Sequence, residues 1–509
     1  MRALNSIKNT SVGLLQTIIT KPLVFFARIV FVRVLGLEYL GINSLFVSIV
    51  SVLAVAELGL SKAIIFSMYE PIAKENIPEI KSLMKFYKKS YRFIGMSILF
   101  VGMLLTPFIP IFMEPEINIS TNVHLIFFLF VLDVVLSYLF SYKRAILYAH
   151  QKNYIISLMD LLYQLTMHSA QIIILLLTQN FLIFTLITVV FRLVENNILN
   201  TIADKKYPYI KEKIIEKLDL KVKRNLLQQI KGLLFHRIGG TVVLGMDSIL
   251  IVRFLGLSAM GMYANYLLIL SAFNSILFQF VKGIVASVGN LLTENDSEKS
   301  FKVYRKISFL IFWVHTVAMT IIYLAMDSLV TLWLGEEYLL SRNILFLISI
   351  NFYIQGLRKP CHMFKEAAGI FYQDRFIPLI EILVKFPLSF ILLHIWGIAG
   401  LLIATLISTL IVYVYTYPIF IYKPIFKRRI KNYFVEHLQY LAILVIVFLI
   451  SATLSQIFKI SNLWLSLFTQ LSLAIIIPNI ILIIVFRKTE EFSYFKLFLI
   501  KMLSKMSKG

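Results

Sequence analysis

Fourteen apolar stretches punctuate this chain of 509 residues, and the polar segments joining them are alternately crowded with Lys and Arg and almost bare of them. The hydrocarbon core of a bilayer takes about 20 helical residues to cross and offers no partner to an unpaired backbone group, so stretches this long and apolar read as membrane-spanning helices. They fall at 11–35, 41–66, 91–113, 123–141, 155–178, 181–202, 231–255, 259–290, 307–333, 343–357, 376–395, 397–421, 438–458 and 464–486. The polar pair Gln179-Asn180 divides 155–202 into two helices. The expected fold is all-α and polytopic, with about 14 transmembrane helices.

If the N-terminus is cytoplasmic, nearly all of the loop Lys and Arg fall on inner segments, while the outer segments hold only Arg342 and Lys459. This is the positive-inside pattern, and it predicts a multi-pass protein with both termini in the cytoplasm. It also accounts for the net charge of +23 without a nucleic-acid partner, because these charges sit on short loops that face anionic lipid. The single cysteine, Cys361, excludes an internal disulfide, falls in a predicted cytoplasmic loop and reads as incidental. Lys21, Arg28 and Arg33 interrupt the first apolar run and no small-residue cleavage site follows, so that run reads as a retained helix and not as a signal peptide.

The chain repeats itself. Arg33-Val-Leu-Gly-Leu-Glu-Tyr-Leu-Gly41 aligns without gaps to Arg253-Phe-Leu-Gly-Leu-Ser-Ala-Met-Gly261, and the same offset pairs Lys62 with Lys282. Lys81-Ser82 and Tyr87-Lys88-Lys89 match Lys299-Ser300 and Tyr304-Arg305-Lys306; Asp160 corresponds to Glu381, and Gln151 to Gln373. Shared apolar composition would not align glycines, bases and carboxylates in one order. The expected organisation is therefore two pseudo-symmetric six-helix lobes: residues 1–205 (helices 1–6) and 231–425 (helices 7–12). A basic cytoplasmic connector at 206–230 joins them, and residues 426–509 add a helix pair, 13 and 14, with a basic tail. Six is even, so the copies run parallel about an axis along the membrane normal, an architecture that transporters use for alternating access.

Catalysis is not expected. The longest outer segment, about Glu114 to Asn122, is too short to carry an acceptor site for a membrane-embedded polymerase or ligase. Zinc-binding His pairs at helical spacing, a glycine-rich phosphate loop and a nucleophile elbow are missing from the sequence, so neither a catalytic residue nor a metal nor an organic cofactor is predicted.

The informative residues are the charges inside the apolar helices, since each costs about 2.5–3.5 kcal/mol at mid-bilayer unless it meets water or a partner. The bases are Lys21, Arg28, Arg33, Lys62, Arg192, Arg237, Arg253, Lys282 and Lys385; the clear acids are Glu57, Asp133, Asp160, Glu195, Asp247, Asp327 and Glu381. Arg192 with Glu195, and Glu381 with Lys385, have the spacing of intrahelical ion pairs. Arg33 and Arg253 reach the outer headgroups, and Lys62 and Lys282 the inner ones, by snorkelling equally well. Lys21 and Arg28 are seven apart on one face, and Arg28 has no acid nearby in its own helix. An unpaired cationic stripe of this kind suits an anion, and guanidinium grips phosphate as a fork.

The stretch Glu38-Tyr-Leu-Gly-Ile-Asn-Ser-Leu-Phe46, followed by Ala56-Glu-Leu-Gly59, Ala63-Ile-Ile and Tyr69-Glu-Pro-Ile-Ala73, resembles the polysaccharide transporter family of bacterial oligosaccharide-lipid flippases, within the multidrug/oligosaccharidyl-lipid/polysaccharide flippase superfamily. The resemblance implies a flippase of the bacterial cytoplasmic membrane. It would carry undecaprenyl-pyrophosphate-linked oligosaccharide repeat units to the outer leaflet for capsule, O-antigen or exopolysaccharide assembly, beside a polymerase and chain-length machinery. It further implies a cationic cavity, with Arg28, Lys21 and Arg237 as pyrophosphate candidates and Arg33, Arg253, Lys62 and Lys282 as further substrate-binding candidates. A proton or sodium gradient would reset the cycle, with Glu57, Asp133, Asp160 and Asp247 as ion-coupling candidates. The runner-up is an ion-coupled drug or toxic-compound exporter of the same superfamily, which would prefer cationic cargo and an acid-lined lobe.

Overall fold

The structure is a computed structural model that describes residues 2–57, 60–113, 121–212, 218–219, 222–224, 226, 241, 245–294, 296–370, 376–458 and 460–506. Among these residues the fold is all-helical, without a strand. The helices are α1 (Arg2–Leu35), α2 (Leu37–Leu53), α3 (Leu60–Ala73), α4 (Ile77–Leu105), α5 (Val123–Ser141), α6 (Arg144–Ala149), α7 (Asn153–Thr178) and α8 (Phe181–Lys206). Then come α9 (245–255), α10 (Leu257–Thr293), α11 (Ser297–Trp333), α12 (Arg342–Leu357), α13 (Lys359–Ala368), α14 (Ile377–Trp396) and α15 (Ile398–Tyr417). The last are α16 (Lys423–Phe426), α17 (Ile430–Ile457), α18 (Leu463–Phe486) and α19 (Glu490–Met506). Nine helical spans among the described residues are long and apolar enough to cross a membrane. Large apolar side chains such as Phe93, Leu177, Leu383 and Phe468 stand more than two-thirds exposed on these spans, which is the surface that lipid rather than water covers. The molecule is a polytopic membrane protein.

Local chemistry sets the breaks. Gln179 adopts a left-handed conformation (φ 52°) and the Asn180 side chain accepts hydrogen bonds from the Leu182 and Ile183 amides, so the chain turns there as its polarity predicts. Asn122, Asp296 and Asn462 cap α5, α11 and α18 in the same manner. The expected second helix, 41–66, is instead two: α2 ends in a 3-10 turn at Ala54–Glu57, and α3 begins at Leu60. Cys361 lies within α13 and is buried, its Sγ 3.7 Å from the Tyr304 hydroxyl.

Contacts divide the chain into two compact units, Met1–Asn265 and Tyr266–Gly509. In the first, α1 packs on α7, and α5 packs on α4, α8 and α2; Leu83, Tyr87 and Tyr91 of α4 share a core with Ile146 and Leu147 of the short helix α6. In the second, α11 packs on α12 and α18, and α14 on α15, around a core rich in aromatics that includes Tyr304, Phe312, Tyr353, Tyr422 and Phe426.

The sequence repeat has a structural counterpart inside the first unit. Gly36 and Gly256, equivalent in the alignment, separate α1 from α2 and α9 from α10 with φ of 87° and 90°, a region open to glycine at little steric cost. The segments that follow pack on each other reciprocally. A Cβ added to Gly41 would stand 2.1 Å from the Leu257 carbonyl oxygen, and one added to Gly261 would stand 2.4 Å from that of Leu37, the residue equivalent to Leu257. Glycine at both places lets two backbones touch, the usual means of close helix approach where lipid leaves no hydrophobic drive between helices. Ser48 donates to Ser248 at 2.8 Å beside this contact.

Candidate functional site

The first unit holds a half-open cavity of about 440 Å³ between α1, α2, α5, α7 and α8. Its wall is mostly apolar, from Val24, Phe31, Leu40, Phe130, Met167 and their neighbours, and its polar groups are few: Arg28, Asn43, Ser51, Asp133, Ser137, Tyr138, His168, Gln171, Thr185 and Thr188. Helical periodicity explains the convergence. Ala27, Arg28 and Phe31 share a face of α1; Asp133, Val134 and Ser137 share one of α5; His168 and Gln171 share one of α7.

Arg28 enters this cavity. It donates from Nη1 to Oδ1 of Asn265, a fully buried amide, at 3.3 Å, and among the described residues no carboxylate comes within ion-pair distance of it. The cavity's acid is already committed: Asp133 accepts from Arg192 Nε at 3.2 Å. Gln171 donates to Thr188 at 2.9 Å, and its Oε1 lies 3.1 Å from His168 Nδ1. The chamber therefore presents one guanidinium neutralised by nothing but an amide, against an acid already matched by a base. That is a setting for a phosphate or carboxylate.

Behind the cavity lies a charge network on α5 to α8. Arg192 bridges Asp133 (3.2 Å) and Glu195 (3.0 Å); Arg144 bridges Glu195 (2.9 Å) and Asp160 (3.4 Å) and donates to Asn196 Oδ1 at 3.1 Å. The Arg192 to Glu195 pair expected from spacing is present, as one link of this larger array.

The other predicted residues distribute as follows. Lys21 is half-buried on α1 and does not line the cavity. Arg33 and Arg253 are exposed at equivalent positions, Arg253 lying 5.9 Å from the Phe254 ring. Glu57 accepts from the Tyr91 hydroxyl at 2.5 Å, and the Tyr91 ring packs on that of Tyr138, which lines the cavity. Asp247 is buried in α9. Arg237 lies outside the described residues, as do the side chains of Lys62 and Lys282. Glu381, expected to pair with Lys385, takes its ion pair from Arg358 at 3.4 Å. Arg144, Asn196, Asn265, His168 and Gln171 were not singled out from sequence. Arg144 sits in a basic inner loop where the positive-inside rule already explained it; Asn196, Asn265 and Gln171 are neutral residues whose partners lie on other helices, and His168 meets Gln171 one turn on along α7. The described residues contain no group of His, Cys, Asp and Glu placed to hold a metal ion.

Comparison with known proteins places this geometry. The polysaccharide biosynthesis protein family matches residues 6–285. A search of curated proteins returns no match. Among solved structures the chain is similar to the lipid II flippase MurJ in an inward closed conformation (TM-score 0.66, 14% identity, 93% of this chain and 98% of that one covered). It is also similar to a multidrug resistance MATE family transporter of the MOP superfamily in an inward-facing conformation (TM-score 0.58, 11% identity, 80% and 96% covered). The Vibrio cholerae MATE transporter VcmN gives a TM-score of 0.52 at 13% identity, with 80% and 95% covered. At these identities the likeness is one of fold, and that fold is a polytopic transporter's. With more than half of its length matched, the chain belongs to the polysaccharide biosynthesis protein family.

Proposed function

We propose that this protein is a flippase that carries undecaprenyl-pyrophosphate-linked oligosaccharide repeat units from the inner to the outer leaflet of the bacterial cytoplasmic membrane, for capsule, O-antigen or exopolysaccharide assembly. The family supports a role in polysaccharide biosynthesis, and the MurJ-like fold supports a flippase. The observation that carries the cargo assignment is Arg28, a guanidinium that faces a largely apolar cavity with a neutral amide for its partner. A pyrophosphate would complete its hydrogen bonds, with Lys21 and Arg237 as the other candidates on the route. Transport would proceed by alternating access, reset by a proton or sodium gradient, with a polymerase and chain-length machinery receiving the product. The reading needs no enzymatic step.

The test is leaflet transfer of a fluorescent undecaprenyl-pyrophosphate oligosaccharide in proteoliposomes. A hydrogen bond to a charged group contributes about 1.5–3 kcal/mol, so Arg28→Ala should slow transfer about ten- to a hundredfold, with Arg28→Lys recovering part of it. Unchanged transfer by Arg28→Ala, or transport of an organic cation that both forms carry equally, would instead favour the exporter reading that the MATE-like fold keeps in play.

A further inference from the structure

The glycine contact between the repeated motifs sets one side chain against Arg28. Gly261 lets the start of α10 lie on the Leu37 carbonyl of α2, and Asn265 follows one turn later on the same face of α10. Asn265 is 0% exposed, and its Oδ1 accepts from Arg28 Nη1 at 3.3 Å. A guanidinium only donates, so the amide oxygen must face Arg28 and the amide nitrogen must turn away. Among the described residues that nitrogen, also buried, has no acceptor. A stranded buried donor is destabilising, and so is a buried cation opposite a neutral partner. Aspartate is nearly the same size, carries no amide donor and would give Arg28 a full counter-charge. On stability alone, aspartate suits position 265 better than asparagine. The repeat shows what the same place looks like without a charge to manage. At the offset that aligns Gly41 with Gly261, Arg28 falls on Ser248 and Asn265 on Leu45. Leu45 is fully buried, and Ser248 accepts from Ser48 at 2.8 Å. Base and amide therefore occur together in one copy of the contact and are both replaced in the other.

We propose that Asn265 sets the charge selectivity of the cavity: its amide anchors the Arg28 guanidinium without neutralising it, and so reserves the positive charge for an anionic headgroup. Arg28 lines the chamber and Asn265 stands behind it, outside the wall, so Asn265 is a positioning residue that acts through Arg28. The anchor occupies one N–H of the fork and leaves the others to the chamber. A carboxylate in its place would close an ion pair and remove the attraction for anions, because the acid that does line the cavity, Asp133, is already matched by Arg192 at 3.2 Å. Selectivity between anionic and cationic cargo thus turns on the difference between an amide and a carboxylate at one buried position. The identity of the anion as a pyrophosphate rests on the flippase reading, whereas the state of the Arg28 charge does not.

The test compares Asn265→Asp with Asn265→Ala in the full-length protein in lipid nanodiscs, with inorganic pyrophosphate as the probe. Asn265→Asp should weaken binding about ten- to a hundredfold, as Arg28→Ala does, and should add nothing in an Arg28→Ala background. Asn265→Ala keeps the charge and loses only the anchor, so it should weaken binding less. A merely structural asparagine predicts the reverse order, since aspartate is nearly isosteric and alanine leaves a hole behind the guanidinium. That reverse order, or equal binding by Asn265→Asp and the parent, overturns the proposal. Asn265→Asp should also resist chemical unfolding at least as well as the parent, and a variant that fails to fold overturns it too. A further readout needs no bound anion. Phenylglyoxal modifies uncommitted guanidinium groups, and mass spectrometry of the Arg28 peptide should show slower modification in Asn265→Asp but not in Asn265→Ala; equal rates in Asn265→Asp and the parent overturn the proposal. Pyrophosphate binding that ignores Arg28→Ala, together with slowed modification in Asn265→Asp, would sink the cargo reading and uphold the role of Asn265.

Discussion

The repeat-related carboxylates Asp160 and Glu381 hold equivalent places in the two units but have different company. Each follows a short helix whose start brings an arginine against it: Arg144 opens α6 and reaches Asp160 on α7, while Arg358 precedes α13 and reaches Glu381 on α14. In the second unit the arginine is completed by a neutral group, Arg358 Nε donating to the Tyr417 hydroxyl at 3.5 Å. In the first the same device has been extended to Glu195, Arg192 and Asp133 and reaches the wall of a cavity. One scaffold thus carries a closed pair in one copy and an array with surplus acid in the other. The lesson is that the two repeat-aligned carboxylates share an arginine strut, and that the residues around it decide whether the acid is matched one to one or left in excess.

The largest effect comes from cutting the strut in each copy. Arg358→Met should leave Glu381 without its ion-pair partner and cost about 3–5 kcal/mol, as expected for a buried ion pair broken from one side. Arg144→Met should cost at least as much, since it strips a base from an array already short of one. Chemical unfolding in detergent checks both, and a variant of either arginine that unfolds like the parent would mean that the strut is ornamental in that copy.

Next is the glycine contact that joins the two repeated motifs. Gly41→Ala or Gly261→Ala places a Cβ against a backbone oxygen that cannot rotate away, and overpacking of this kind costs about 1–3 kcal/mol. Because the two glycines belong to one reciprocal contact, the double variant should lose less than the sum of the singles. Simple additivity in thermal shift would show that the contacts are independent.

Much of this was legible beforehand, for identifiable reasons. Membrane helices announce themselves because lipid demands length and apolarity, and the turn at Gln179-Asn180 because an asparagine cap has few other uses inside such a run. The repeat was legible in Gly36 and Gly256 since a positive φ restricts the choice of residue so severely. Arg28 stood out because no acid in its own helix could neutralise it, and it lies in the cavity. What stayed hidden depended on contacts between helices. Arg144 looked like one more inner-loop charge, and Glu195 like a completed pair with Arg192, because spacing within one helix says nothing about the three other helices that join the array. The break at Ala54–Glu57 was also silent, as that stretch is apolar throughout except for Glu57, whose bond to Tyr91 comes from tertiary packing.

A smaller effect separates the two copies at the turn after the short helix. In the second unit α13 ends at Gly369 with φ 67°, a conformation glycine adopts without strain; in the first the reversal after α6 places Gln151, aligned in the repeat with Gln373 and not with Gly369, at φ 58°. Gln151→Gly should therefore be neutral or stabilising by up to about 1 kcal/mol, whereas Gly369→Ala should destabilise by about 1 kcal/mol. Equal responses at the two turns would remove this distinction.

The finest distinction is in pH dependence, and it starts at the same turn. His150 ends α6, stacks on Tyr207 with ring centroids 4.3 Å apart, and places Nε2 3.4 Å from the Tyr209 hydroxyl. Burial there, aided by the charge of Lys152, holds its pKa down at about 4, against 6.5 for an unperturbed histidine. Above pH 6.5 both folded and unfolded chains carry His150 neutral, so it has no influence on stability. Between 6.5 and about 4 the unfolded chain binds a proton that the folded chain refuses, and stability falls with falling pH across that window. His150→Gln should flatten the acid side of a thermal-unfolding profile while leaving the alkaline side intact. A profile flattened on both sides, or one left unchanged on the acid side, would show that the His150 ring at this turn is not the group that sets the acid limb.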